Sequence, residues 1–464
     1  VSSSSSSGES APSEPATRTR APGLLGFLAR HDFLASVLKV ISGTGVAQLV
    51  AMVAILVVTH KVDPAQWGIY SAVYAAAGFV IPVAALRYDM AIVLPRDDAE
   101  ARAIFGLATK INAIISVLAT LVMIPLGGVL ASLLDAPAGT RWWMLAVGAF
   151  IFTYCEYNIV NYWANRRKQF GVIGTNAVWN QAVTAAGRLI GAFTGLGAGG
   201  QIVAAVVGEA AGLNNFRSRL GKDLVGVRPA PIPARELMRR YRKMPLLTAP
   251  NAIVDAIRLQ GITWSMGIYY SKTVMGLFTM AWSLMQVPAS VINQAMSQVF
   301  FQKLSVTDGG HMFRTVRQSI VRSAVAGIIP FALLYFLVPP ILPLLMGASY
   351  RPVASISVAL VPWLYLNFIT SPVSNLFIVT RNNGIALIFA IVYAAVPLTY
   401  LATRHGEIVS TVSGMAWCQT VLLVLYLGLA LLVAWSFDRR AGAGAADAPA
   451  GEGGSADEGG PGEA

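Results

Sequence analysis

Eight ionisable residues lie inside long apolar runs of this chain: Arg87, Asp89, Lys110, Glu156, Arg188, Glu209, Asp255 and Arg258. A charge near the middle of a bilayer costs about 2.5–3.5 kcal/mol, so such residues persist where they meet partners or a wet cavity. The bases can replace the lost water of a phosphate through charge-assisted hydrogen bonds. Arg188 and Arg258 are the deepest of them and form a candidate anion clamp; Lys110 and Arg87 are further candidates. Glu156, Glu209 and Asp255 are candidate carriers of a proton or a sodium ion. Plainer roles stand beside these. Arg87, Asp89 and Lys110 are near span ends and could snorkel to the interface. Asp255 and Arg258 are spaced i,i+3 and could satisfy each other on one helix face.

Amides and aromatics add a second chemistry. Tyr154, Tyr157, Asn158, Gln286 and Asn293 fall within spans and are candidate sugar contacts, with interhelical packing as the alternative. Trp282, Trp363, Tyr365 and Trp417 are also deep, and core packing is the simpler role for them. Trp67, Tyr70, Trp142, Trp143, Tyr162, Trp163, Tyr269 and Tyr270 fall at span ends, as belt residues do. No metal or cofactor is expected. The four histidines are scattered, and the two cysteines, Cys155 and Cys418, both lie in apolar runs. There is no G-x-x-x-x-G-K-[ST] phosphate loop, so ATP is not the expected energy source. The short loops hold no carboxylate or histidine constellation for acid–base catalysis, so no catalytic residues are assigned.

These residues must be positioned by membrane-spanning helices. The 464 residues are 55% hydrophobic and 12% charged, about half the charge of a soluble domain. Twelve spans are expected, near 34–59, 67–94, 103–131, 141–164, 170–196, 199–217, 243–269, 274–302, 318–346, 352–380, 384–403 and 407–436. Each is long enough to cross about 30 Å of hydrocarbon as a helix. The fold class is an all-α polytopic membrane protein. Residues 1–32 and 438–464 are polar or Gly/Ala-rich and are expected to be disordered tails. A basic linker over 218–242 separates helices 1–6 (33–217) from helices 7–12 (243–437).

The net charge of +12 is concentrated in alternate loops, which argues for membrane orientation rather than nucleic-acid binding. With both termini cytoplasmic, 25 of the 34 Lys and Arg fall on the cytoplasmic side and 5 in the outer loops. A faint repeat agrees with a six-plus-six division: Gly68-Ile-Tyr-Ser-Ala-Val-Tyr74 opens the second span and Gly276-Leu-Phe-Thr-Met-Ala-Trp282 the eighth. Halves with an even number of spans face the same way, so their pseudo-twofold axis lies along the membrane normal.

The stretch Leu86-Arg-Tyr-Asp-Met-Ala-Ile-Val-Leu-Pro-Arg-Asp-Asp-Ala-Glu-Ala101, following Trp67-Gly-Ile-Tyr70, resembles the Wzx-like oligosaccharide flippases of the multidrug/oligosaccharidyl-lipid/polysaccharide (MOP) superfamily. Asn165-Arg-Arg-Lys-Gln-Phe170 and Gln294-Ala-Met-Ser-Gln-Val-Phe-Phe301 are similar to that family too. The likeness spans about 33–436. It implies two six-helix lobes in a V around a central cavity, alternating access, and a polyprenyl-diphosphate-linked oligosaccharide moved from inner to outer leaflet. By location it also suits Lys110 and Arg188 to the diphosphate and acidic sugars. Implied surroundings are the cytoplasmic (inner) membrane, its lipids, a polysaccharide polymerase and a chain-length regulator. Lipid II flippases usually add two further helices, so twelve spans fit the polysaccharide branch. The alternatives are a drug or cation antiporter of the same superfamily, for which a net acidic cavity is expected, and a membrane polymerase or glycosyltransferase, for which a large outer loop is expected.

Overall fold

Inside hydrocarbon every backbone N–H and C=O must be satisfied within its own segment, and apolar runs therefore fold as helices. The computed structural model describes residues 43–287, 311–374, 376–380 and 382–446, and no strand occurs among them. The helices are α1 Gly43–Val58, α2 Pro64–Val80, α3 Tyr88–Ala91, α4 Asp98–Leu133, α5 Thr140–Met144, α6 Ala146–Arg166, α7 Phe170–Phe193 and α8 Gly197–Gly226. They continue with α9 Ala234–Arg240, α10 Lys243–Tyr269, α11 over 272–287, α12 Met312–Leu345, α13 Pro352–Thr370, α14 Leu376–Val379, α15 Asn383–Thr403 and α16 Ile408–Ala446. Each expected span contains helix where it is described, with breaks inside several of them. Among the described residues, six segments are long and apolar enough to cross a membrane: Asp98–Leu133, Thr140–Arg166, Met312–Leu345, Ala348–Thr370, Gly384–Thr403 and Ile408–Arg439. Helices α2, α7, α8 and α10 fall outside that set, and each turns polar side chains toward the interior.

Three boundaries differ from expectation. The second span is not one rod: α2 ends at Val80, Ile81–Val83 forms a 3-10 turn at Pro82, and α3 follows. Leu86 and Arg87 between them have φ of 46° and 61°, a left-handed conformation that costs an L-residue about 1–2 kcal/mol. At the expected linker, α8 runs on to Gly226 because Leu213, Phe216, Leu220 and Leu224 keep a helical apolar face, all buried. The last helix reaches Ala446, beyond the boundary expected at 437, where the alanines of Ala441-Gly-Ala-Gly-Ala-Ala446 favour helix, the two glycines oppose it, and the run continues a long helix already formed.

The helices assemble as two lobes around a central cavity. In the first, α7 packs on α8, α4 on α6, and α2 on α6 and α8; in the second, α13 packs on α16, α12 on α13, and α10 on α15. The lobes meet where α10 lies along α2. On the face that carries α9, ion pairs tie the first lobe together. Asp98 receives Arg166 at 2.7 Å and Arg167 at 2.6 Å, and Arg166 also donates to the Pro95 carbonyl at 2.6 Å. Two of the stretches quoted above, one around Asp98 and one around Arg166, thus meet in space. Arg167 also grips Asp223 and holds its carboxyl below the usual carboxylate range.

Between the lobes, hydrogen bonds among the described residues gather at the opposite, distal end. Ser71 and Thr279 join hydroxyls at 2.7 Å, the Gly347 amide donates to Thr59 Oγ1 at 3.3 Å, and Tyr350 donates to the Val62 carbonyl at 3.0 Å. Lys272 donates to the Asp135 carbonyl. Here α2 and α11 cross through Gly68 and Gly276. A Cβ on Gly68 would strike the Lys272 carbonyl, and one on Gly276 the Pro64 carbonyl. Each contact repeats the other at the 208-residue offset that separates Ser71 from Thr279. The two copies of the repeat therefore face each other and close this end.

Candidate functional site

Below that crossing lies a cavity of about 480 Å³. Its walls are built from the two repeat copies: Tyr70 and Tyr74 on α2 stand opposite Phe278 and Trp282 on α11. A helix presents residues four apart on one face, which explains why each heptapeptide contributes its two rings together. Amide and charged side chains come from several helices, with Gln48 from α1, Gln181 and Arg188 from α7, Glu209 from α8, Gln260 from α10 and Gln286 from α11, and hydroxyls of Ser71, Thr184, Thr263, Thr279 and Ser283 stand among them.

Arg188 is the cation of this lining. Its guanidinium stacks over Trp67 and Tyr70, 5.4 Å from each ring centre, and donates to the Tyr70 hydroxyl at 2.9 Å. Its Nε is buried without a protein partner. Trp67 and Tyr70 are consequently cavity residues and not belt residues, because α2 begins at Pro64 and carries both rings inward. Glu209 also faces the cavity; Asn180 donates to its Oε2 at 3.0 Å. It also borders a smaller pocket of about 150 Å³ with Tyr154, Tyr157, Asn158 and Gln181.

The remaining candidates are dispersed. Arg258 is buried in the second lobe, bonded to Asp255 at 2.6 Å and stacked on Tyr393 at 4.6 Å. It sits behind Trp363, outside the described cavity lining, so Arg188 and Arg258 do not converge in this conformation. Asp255 is more than half exposed. Lys110 shares its exposed face of α4 with Ile114, Val117 and Leu121, which turns it away from the cavity. Arg87 is held in the break between α2 and α3, its Nε buried and unpartnered. Glu156 is buried within the first lobe, accepting from Thr109 at 3.1 Å with Arg217 3.6 Å away. Tyr154 and Gln286 line the main cavity, Tyr157 and Asn158 the smaller pocket, and Asn293 lies outside the described residues.

Gln48, Gln181, Gln260, Tyr70 and Tyr74 are lining residues that charge counting overlooks. The signals that find them are single glutamines deep in apolar spans and the aromatic positions of the repeat. The arrangement can bind an anion at one point and stack rings around it. No group of three or more His, Cys, Asp or Glu suited to a metal occurs among the described residues.

The family model described as "Polysaccharide biosynthesis protein" matches residues 34–355. Among curated proteins, none matches the sequence. Solved structures share the fold. An inward-facing multidrug resistance MATE family transporter of the MOP superfamily superposes with a TM-score of 0.68 at 13% identity, covering 84% of this chain and 96% of that one. The lipid II flippase MurJ, in an inward closed conformation, gives 0.65 at 12% identity, covering 88% and 90%. A MOP superfamily transporter from Pyrococcus furiosus, described as having a binding pocket of reverse polarity, gives 0.52 at 12%, covering 88% and 96%.

Proposed function

The chain belongs to the polysaccharide biosynthesis protein family, and from that premise we propose that it is a flippase for a polyprenyl-diphosphate-linked oligosaccharide. The observation that carries this reading is Arg188. A guanidinium laid over two adjacent rings on a cavity wall, with one buried N–H unpaired, suits an anion that has shed its water. The aromatic and amide lining suits the attached sugar. With the α9 face cytoplasmic, as the Lys/Arg asymmetry requires, the cavity lies on the loading side of a closed distal end. The lobes, residues 33–217 and 243–437 joined by 218–242, then rock about the α2–α11 crossing to release substrate on the other side. Glu209, on the cavity wall, is the proposed coupling group, with Glu156 and Asp255 as secondary candidates. A polymerase and a chain-length regulator would act on the product.

The test is transport of a lipid-linked oligosaccharide by purified protein in proteoliposomes. Transfer between leaflets that disappears in Arg188→Ala supports the proposal; transfer that is equal in wild type and variant removes Arg188 from it. Glu209 on the same wall favours a second reading, a cation antiporter. Proton-driven uptake of an organic cation, with no movement of lipid-linked sugar, would establish that alternative.

A further inference from the structure

The two walls of the cavity differ in charge. The first-lobe wall holds Arg188 and Glu209. The second-lobe wall, supplied by α10, α11 and α13, has no charged side chain among the described lining residues. The sequence from 288 to 302 is uncharged as well. What this wall presents instead is the partly exposed indole of Trp282, backed by the buried indole of Trp363. Trp282 and Trp363 lie 4.7 Å apart between ring centres at 33°. Trp363 is fixed from behind: its Nε1 donates to the Tyr393 hydroxyl at 2.7 Å, and the Arg258 guanidinium lies 5.8 Å from its ring. Gln260, Gln286, Thr263 and Ser283 complete the wall beside the indoles.

An indole face carries negative charge density and attracts the weakly positive C–H face of a sugar ring. Amides and hydroxyls supply both donors and acceptors, which matches hydroxyl groups that need both. A carboxylate brought against this wall would lose hydration with no cation to meet it. Arg258 lies behind Trp363, outside the described lining, bonded to Asp255 with its Nη1 buried and unpartnered, so no guanidinium reaches the cavity from this side.

We infer that the second-lobe wall is a glycan subsite that selects uncharged sugars, leaving the diphosphate to Arg188. This rests on the proposed flippase function and specifies its substrate class. The carrier then divides one substrate between its lobes: the anionic linkage on the first, the neutral saccharide on the second.

The test measures binding of three probes to full-length protein in nanodiscs. They are polyprenyl diphosphate alone, the same lipid carrying a neutral trisaccharide, and the same lipid with one hexose replaced by a hexuronic acid. The neutral trisaccharide should tighten binding by about tenfold over the bare lipid, as one stacking contact with flanking hydrogen bonds suggests, and the uronate probe should gain far less. Trp282→Ala should abolish the gain from the neutral sugar, Trp282→Phe should keep part of it, and Gln286→Ala should reduce it. A monodisperse elution profile for each variant excludes misfolding. Equal gains for neutral and acidic probes would overturn the inference, as would a gain that survives both Trp282→Ala and Gln286→Ala. Arg188-dependent binding of the bare lipid with no gain from sugar would overturn the subsite alone. Failure of all three probes to bind wild type would overturn the flippase proposal and the subsite with it.

Discussion

A guanidinium laid over the adjacent rings of Trp67 and Tyr70 and bonded to the Tyr70 hydroxyl has little freedom left to lose when an anion arrives. Its value lies in the planar fork, which a lysine cannot copy. Arg188→Ala is therefore expected to lower transport by tenfold or more at unchanged abundance, on the order of one lost charge-assisted bond. Arg188→Lys should recover only part, as measured by transport rate per mole of inserted protein. Asp223 makes a different prediction. Arg167 holds its carboxyl below the ordinary value, so its contribution to stability is complete above the unfolded Asp value of about 3.9 and disappears as pH falls through the native one. Melting temperature in detergent should drop on acidification below that range, and Asp223→Asn should flatten this part of the profile. Glu156, buried in the first lobe, and Arg188, on the cavity wall, stood out in the sequence as intramembrane charges without a close neighbour in the chain to pair with. The sequence could not place Lys110, because a charge near a span end satisfies either a cavity or the interface. The apolar stripe of Ile114, Val117 and Leu121 on its face decides the matter.

At the level of elements, hydrophobic runs located the spans because a bilayer tolerates little else. They did not reveal the break in α2, where Pro82 and two left-handed residues interrupt an otherwise apolar segment. Nor did they show that α8 continues through a charged stretch, whose buried leucines hold the helix while its arginines face out. The α2–α11 crossing is the element on which distal closure depends. Its two glycines admit no side chain without parting the helices. Gly68→Val or Gly276→Val should therefore open that end. A disulfide between Ser71→Cys and Thr279→Cys reports it: the hydroxyls are 2.7 Å apart, so cross-linking is expected in the otherwise native background and should fall several-fold when either valine is added. Efficient cross-linking in all three proteins would show that the glycines do not set the closure.

Across the whole molecule, the seven-residue repeat carried more information than its length suggested. It marks the symmetric crossing of the lobes and also the four rings that face each other in the cavity, Tyr70, Tyr74, Phe278 and Trp282. Two constraints, the close helix crossing and the ring-lined wall, act on the same segment. The distribution of charge between the halves was equally visible, since the second half offered only Asp255 and Arg258 in its spans. That these two pair and leave the second wall neutral required the folded geometry. The central claim, that this molecule carries a lipid-linked glycan between leaflets, is tested most directly in proteoliposomes containing a fluorescent polyprenyl-diphosphate trisaccharide and a membrane-impermeant quencher added outside. Wild-type protein should expose the inner-leaflet half of the probe to quenching far faster than protein-free vesicles do, with the probe recovered chemically unchanged, and Arg188→Ala should return the rate towards the protein-free value. A wild-type rate no faster than that of protein-free vesicles, or recovery of a chemically altered glycan, would contradict the account.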